Sequence, residues 1–264
     1  MNTELLTSQF RKIGANLRVH SVDEVAQRQR PADYSINIVT TRKGETFDLV
    51  VNDDEVDIRV VDSDPADRHL LLMVGSDPSW NRQKFLCGHD ERHWFVAGVN
   101  SAVSSIRQAK ESLKPPAVQT EQARKGLKTK NRNRRRNAAF TRQGEWFFVP
   151  APDLKPDGRL ILHTEPIRRG RGKPHMVEFL FRQGGVSVRV CREYPNGLTE
   201  SQYRDLIHRD PEKAKLAWHY MTREAQAFAM GRVRHPDHKT IVLRGWHRIL
   251  PNNEVRGTNV AFLD

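Results

Sequence analysis

Residues 115–144 hold only three large apolar side chains, Val118, Leu127 and Phe140. Fixing a residue's backbone costs about 1–2 kcal/mol of conformational entropy, and burial of apolar surface is what offsets it. A segment this poor in apolar groups is predicted to be a flexible linker. It divides the 264-residue chain into units 1–114 and 145–264, each near the size at which a domain buries a real core.

The same segment concentrates charge. The chain carries a formal net charge of +12, yet residues 1–120 hold 15 Lys/Arg against 17 Asp/Glu. Residues 121–144 hold 9 against 1, so two thirds of the excess sits in that window. Arg124, Lys125, Lys128, Lys130, Arg132, Arg134, Arg135 and Arg136 form its core. Each phosphate neutralised by such a side chain releases a condensed counterion, and five contacts would give a salt slope of roughly −3.5 to −4.5. A second run, Arg168, Arg169, Arg171 and Lys173, is interleaved with Gly170 and Gly172, which let backbone approach a phosphate chain closely.

Both flanking units read as α+β, each a mainly antiparallel sheet with one or two packed helices. In the first, residues 1–33 lack clear periodicity and are expected to form a loose helix or arm. Residues 34–39 and 47–51 are β-branched runs separated by Arg42-Lys43-Gly44-Glu45, a turn signal. Residues 56–60 alternate at period two, and residues 69–74 are continuously apolar, as in a central strand. Residues 93–97 look like a further strand. Residues 101–113 have helical spacing and are stopped by Pro115-Pro116.

In the second unit, Trp146-Phe147-Phe148-Val149 and Leu160-Ile161-Leu162 are strand signals. Residues 176–182 and 186–192 are expected to pair as a hairpin across Gln183-Gly184-Gly185. Thr199-Glu200-Ser201-Gln202 matches a capping box. Asp210-Pro211 predicts a second helix running to about Phe228, with Leu216, Tyr220 and Ala227 on its buried side. Val233, Ile241-Val242-Leu243, Trp246 and Ile249-Leu250 suggest closing strands.

The charge pattern points to nucleic acid as the partner, RNA before duplex DNA. A flexible arginine-rich arm beside Trp146, Phe147, Tyr194 and Trp246 suits unpaired bases, and no duplex-reading motif is evident. The protein would then serve in a ribonucleoprotein or a nucleic-acid-processing complex. A scaffold that docks an acidic protein explains the same charge. An anionic membrane fits less well, because no amphipathic helix with large apolar residues adjoins the segment.

Eleven histidines raise the question of chemistry. His235-Pro236-Asp237-His238 and His247, with His175 beside the second basic run, suggest a metal-independent RNA-cleaving site. Imidazoles titrate near neutrality and can move protons to and from a ribose. Cys87, His89 and His93 offer three metal-ligand types within seven residues. A polar turn between strands explains them more economically, because structural zinc sites favour paired cysteines. No Walker loop, dinucleotide fingerprint or nucleophile elbow is present, so no cofactor is expected. Asp53, Asp54, Glu55, Asp57, Asp62, Asp64 and Asp67 read as a charged sheet edge.

Two cysteines, no basic–apolar leader and no run near 18 apolar residues point to a soluble cytoplasmic protein.

Overall fold

Leu6, Phe10 and Ile13 recur at helical spacing, and all three are buried against the first sheet. In the computed structural model, which describes residues 3–21, 34–42, 44–51, 56–75, 82–169 and 173–255, they place helix α1 (Thr3–Lys12) on strand β1 (Asn16–Ser21). The expected loose arm is therefore a packed helix and strand. Strands β2 (Tyr34–Thr41) and β3 (Gly44–Val51) form the anticipated hairpin, with Thr41 opposite Gly44. Strand β1 adds to β3 in parallel.

Strands β4 (Asp57–Asp64), β5 (His69–Gly75), β6 (Gln83–Asp90) and β7 (His93–Val99) make an antiparallel meander in that order. Leu70, Leu71 and Leu72 on β5 are fully buried, as a central strand requires. Strand β4 is the edge, and Asp57, Asp62 and Asp64 lie on it; residues 53–55 fall outside the described part. Helix α2 (Ile106–Ser112) is shorter than its pattern suggests. Ser105 caps it by accepting from Gln108 N–H, and Asn100 turns the preceding residues by accepting from Ala102 N–H at 2.8 Å.

The basic segment departs most from expectation. It is folded: helix α3 (Pro116–Arg124), helix α4 (Thr129–Arg132) and strand β8 (Thr141–Gln143) occupy it. Pro115 and Pro116, which end one helix, also begin the next. The three apolar residues suffice because their partners come from elsewhere. Val118 and Phe140 pack with Ala139 and Phe147, flanked by Leu127, Val149 and Leu250. Polar side chains then satisfy the loop backbone. Asn137 Oδ1 accepts from Ala139 and Phe140 N–H, and buried Gln122 donates to Arg132 carbonyl at 2.7 Å.

Strand β9 (Trp146–Pro150) follows, then β10 (Leu162–Ile167), β11 (His175–Gln183) and β12 (Val186–Val190). Helix α5 (Glu200–Arg209), β13 (His219–Arg223), β14 (Gln226–Arg234) and β15 (Ile241–Pro251) complete the chain. Six strands form one sheet in the order β10-β11-β14-β15-β9-β8, and β12 pairs separately with β13.

Two elements differ from expectation. Strands β11 and β12 both exist, but they do not pair. Gly184 and Gly185 take positive φ of 68° and 88°, and a Cβ at Gly185 would come within 2.7 Å of Arg223 carbonyl. The chain peels away to β13 while β14 takes the β11 edge, with Gln183 opposite Gln226. The helix predicted from Asp210 ends after a 3-10 turn, Pro211–Lys215, capped by Asp210. Residues beyond it find strand partners in β12 and β11, which outweigh a weak helical pattern, and Tyr220 is 64% exposed rather than buried.

The capping box is present: Thr199 accepts from Gln202 N–H while the Gln202 amide oxygen accepts from Thr199 N–H at 2.9 Å. Thr199→Ala should lower stability by about 1 kcal/mol. Hydrogen exchange should show the loosening confined to α5.

The fold is α+β, with several mostly antiparallel sheets and few helices. After β15 the chain returns to the first half, where Val255 N–H donates to Gly98 carbonyl at 2.9 Å and Asn253 N–H to Leu113 carbonyl at 2.9 Å. Among the described residues no helix is long and apolar enough to cross a membrane.

Candidate functional site

Antiparallel pairing of β11 with β14 sets Met176 opposite Arg234. The residue that opens β11, His175, therefore lies beside the residues that follow β14, His235 and His238. Pro236 turns the chain between them. The three imidazoles form a stack, with ring centroids 4.2 Å apart for His175–His235, 4.8 Å for His235–His238 and 5.6 Å for His175–His238. One ligand-type nitrogen from each lies within 4.8 Å of the others, and this is the one such group among the described residues.

The turn between β8 and β9 closes the site from another side. Gly144 sits there at φ +55°, and a Cβ on it would come 2.7 Å from His238 Nε2 and 3.4 Å from His175 Nε2. Trp146 meets the His175 ring edge-on at 6.4 Å. Glu91, from the β6–β7 turn, puts Oε2 3.6 Å from His238 Nδ1.

Satisfaction of polar atoms is poor at this spot. His175 is 1% exposed, and neither ring nitrogen has a hydrogen-bond partner among the described residues. His238 Nδ1, Gln143 Oε1 and Trp146 Nε1 are likewise buried without one. Each such atom costs about 1–3 kcal/mol unless something meets it. His235 differs: its Nδ1 accepts from Asp237 N–H at 3.2 Å and its Nε2 lies 3.3 Å from Lys173 carbonyl.

Burial, helped by the nearby His235 and His238, pushes the His175 pKa down to about 3. Burial and His235 lower that of His238, against the opposing pull of Glu91. Both rings are thus neutral near pH 7, the state in which imidazole donates a lone pair. Burial raises the Asp237 carboxyl, but its bonds to Lys173 Nζ together with the charges of Lys173, His235 and His93 outweigh it, and the net shift is downward.

The other sequence candidates are dispersed. His247 lies on β15 opposite Pro150, its Nδ1 2.9 Å from Gly245 carbonyl, apart from the trio. Cys87 is a core thiol with no exposure, its pKa pushed up by burial. His89 packs against Trp94, and His93 Nδ1 bonds Glu45 at 2.6 Å, so these three are not a ligand set. Trp146 and Phe147 are core, Tyr194 stacks on Trp218, and Trp246 meets Phe181.

The basic residues divide by what they touch. Arg124 pairs with Glu121, and Lys125 lies 4.0 Å from the same carboxylate. Arg132 donates to Leu127 carbonyl at 3.0 Å. Arg135 bridges Asp90 and Glu91, Arg169 bonds Asn252, and Lys173 pairs with Asp237. Lys128, Lys130, Arg134, Arg136 and Arg168 are exposed, and their side chains make no ion pair among the described residues. Arg171 falls outside that part.

Sequence reasoning grouped His175 with His235 and His238 but did not see Gly144, Glu91 or Gln143, which only strand pairing and turn contacts bring there. No protein-family model, curated protein or solved structure matches this chain.

Proposed function

We propose that the protein binds nucleic acid, irregular or single-stranded RNA before duplex DNA, as part of a ribonucleoprotein or nucleic-acid-processing assembly. The observation that carries this reading is the set of exposed cations Lys128, Lys130, Arg134 and Arg136, without an ion pair among the described residues, on a packed base. Arg124, Lys125 and Arg135 are already held by carboxylates and release fewer counterions, and Arg132 is half-buried with its guanidinium turned onto the Leu127 carbonyl, so these four, rather than all eight, supply most of the electrostatic gain. Short helices of nine and four residues alternate here with irregular backbone. That contour suits a strand with splayed bases better than a major groove. Two free, buried cysteines suit a reducing compartment, and a cytoplasmic location belongs to the same proposal.

Replacing the four by glutamine should weaken RNA binding on the order of 100-fold at physiological salt and flatten the salt slope by about 3–4 units. Arg124→Gln, at a cation already paired, should change little. If the fourfold variant binds RNA and DNA as the parent does, the reading fails. Copurification with an acidic protein and no nucleic acid would replace it with a docking scaffold.

A histidine nuclease is less well supported. Proton transfer asks for imidazoles that titrate near neutrality within reach of substrate. His175 is enclosed and held near 3, and His247 stands apart.

A further inference from the structure

We propose that His175, His235 and His238 hold one first-row transition-metal ion of the zinc class, with Gly144 keeping the space before it open and Glu91 orienting His238. The inference does not depend on the nucleic-acid reading.

Three independent observations converge. The first is the ligand set itself, three imidazole nitrogens within 4.8 Å of one another. The second is His175, which is 1% exposed and has both nitrogens unpartnered. An imidazole carried into the interior with neither nitrogen met needs a partner that hydrogen bonding among the described residues does not supply. The third is Gly144: a methyl group at that position would clash with His238 Nε2 at 2.7 Å and reach contact with His175 Nε2 at 3.4 Å. A residue without a side chain thus faces the Nε2 atoms of two of the three rings.

The surroundings follow the pattern of a metal site. When a histidine ligates through Nε2, its Nδ1–H is usually held by a carboxylate or carbonyl, which fixes the tautomer and raises ligand basicity. Glu91 Oε2, 3.6 Å from His238 Nδ1, is placed for that role. Imidazole ligands favour zinc, copper, nickel and cobalt over magnesium and calcium, which prefer oxygen. Three protein ligands leave a fourth tetrahedral position for water.

Binding requires a modest rearrangement. A tetrahedral ion about 2.0–2.1 Å from each nitrogen sets the nitrogens roughly 3.3 Å apart. The rings must turn inward from their stack, and His235 must give up one of its two long hydrogen bonds, at 3.2 and 3.3 Å. Both changes are side-chain rotations at the ends of strands.

The test uses untagged full-length protein, stripped with chelator and titrated with zinc ion alone, with bound metal measured by elemental analysis. One zinc per chain is expected, with magnesium not competing. His235→Ala and His238→Ala, at partly exposed positions where folding should survive, should each weaken binding by more than about 100-fold, beyond the 10–100-fold known for losing an orienting residue. Glu91→Gln should weaken it by about 10–100-fold. Gly144→Ala should also reduce it, while His247→Ala should bind as the parent does. Cobalt in place of zinc should give visible absorption that the His235 and His238 variants lose. Circular dichroism on each variant separates loss of a ligand from loss of fold. Failure of the folded parent to take up zinc at stoichiometric concentration overturns the proposal. So does zinc binding that persists in both folded His235→Ala and His238→Ala, since that would place the ion on scattered surface histidines.

Discussion

Phe140→Ala is expected to cost about 3–5 kcal/mol and to lower the melting temperature by roughly 10 °C. Phe140 is 2% exposed and meets Phe147 edge-on at 5.1 Å, with Val118 and Ala139 fully buried beside it. It is the one large aromatic in the basic segment, so no neighbour within the segment can fill the cavity it leaves. The damage should be local first. Limited proteolysis should begin to cut within residues 115–144 before the rest of the chain opens, because cationic loops without an apolar anchor cannot offset their ordering entropy. RNA affinity should fall less than in the fourfold glutamine variant. Counterion release depends on the charges being present, and Phe140→Ala leaves them all in place. A stability loss below about 1 kcal/mol, by chemical denaturation, would mean that the segment is not packed on Phe147.

Contacts within a few residues are legible in this sequence, and contacts between distant strands are not. The β2–β3 hairpin, the buried run at Leu70, Leu71 and Leu72, and the Thr199 capping box were legible because the deciding contacts lie within a few residues. The packing of the basic segment is not legible because Val118 and Phe140 find Phe147 and Leu250, and counting apolar groups within a window cannot see partners outside it. The β11–β12 hairpin failed similarly: two glycines at positive φ read as a turn, but long-range competition from β14 decides the pairing. For the histidines, two came from one turn and so were visible as a pair. His175 joins them through the β11–β14 register, while the unpaired state of its nitrogens has no signature in sequence. His247 shows the converse, since closeness in sequence to the turn does not bring it to the trio.

Asp90→Ala should destabilise the protein by about 2–3 kcal/mol while leaving RNA affinity unreduced. Asp90 ends β6, is 14% exposed, accepts from Arg142 Nη2 at 3.1 Å and pairs with Arg135. It thereby ties the first half of the chain to the basic segment. Removing one partner of a fully buried pair typically costs 3–5 kcal/mol, but Arg135 is 38% exposed and retains Glu91, so solvent and that carboxylate take up part of the loss. The effect has a defined pH signature. Burial raises the Asp90 pKa, yet Arg142 and Arg135 outweigh it, and the folded value lies below the ordinary 3.8. The unfolded chain therefore binds more protons across the interval between the two values, and stability rises with pH there. The contribution is fully present above the ordinary value and is lost as pH falls through the folded one. Denaturation curves for parent and variant should thus differ by the full amount at pH 7 and converge in strong acid. The loss of the Asp90 carboxylate removes one negative charge beside the surface that carries Arg134 and Arg136, while Arg135 stays held by Glu91. RNA binding should hold or tighten as folding stability drops. A variant that loses both together would show that Asp90 shapes the binding surface itself, and a gap that stays constant into acid would show that its role is not electrostatic.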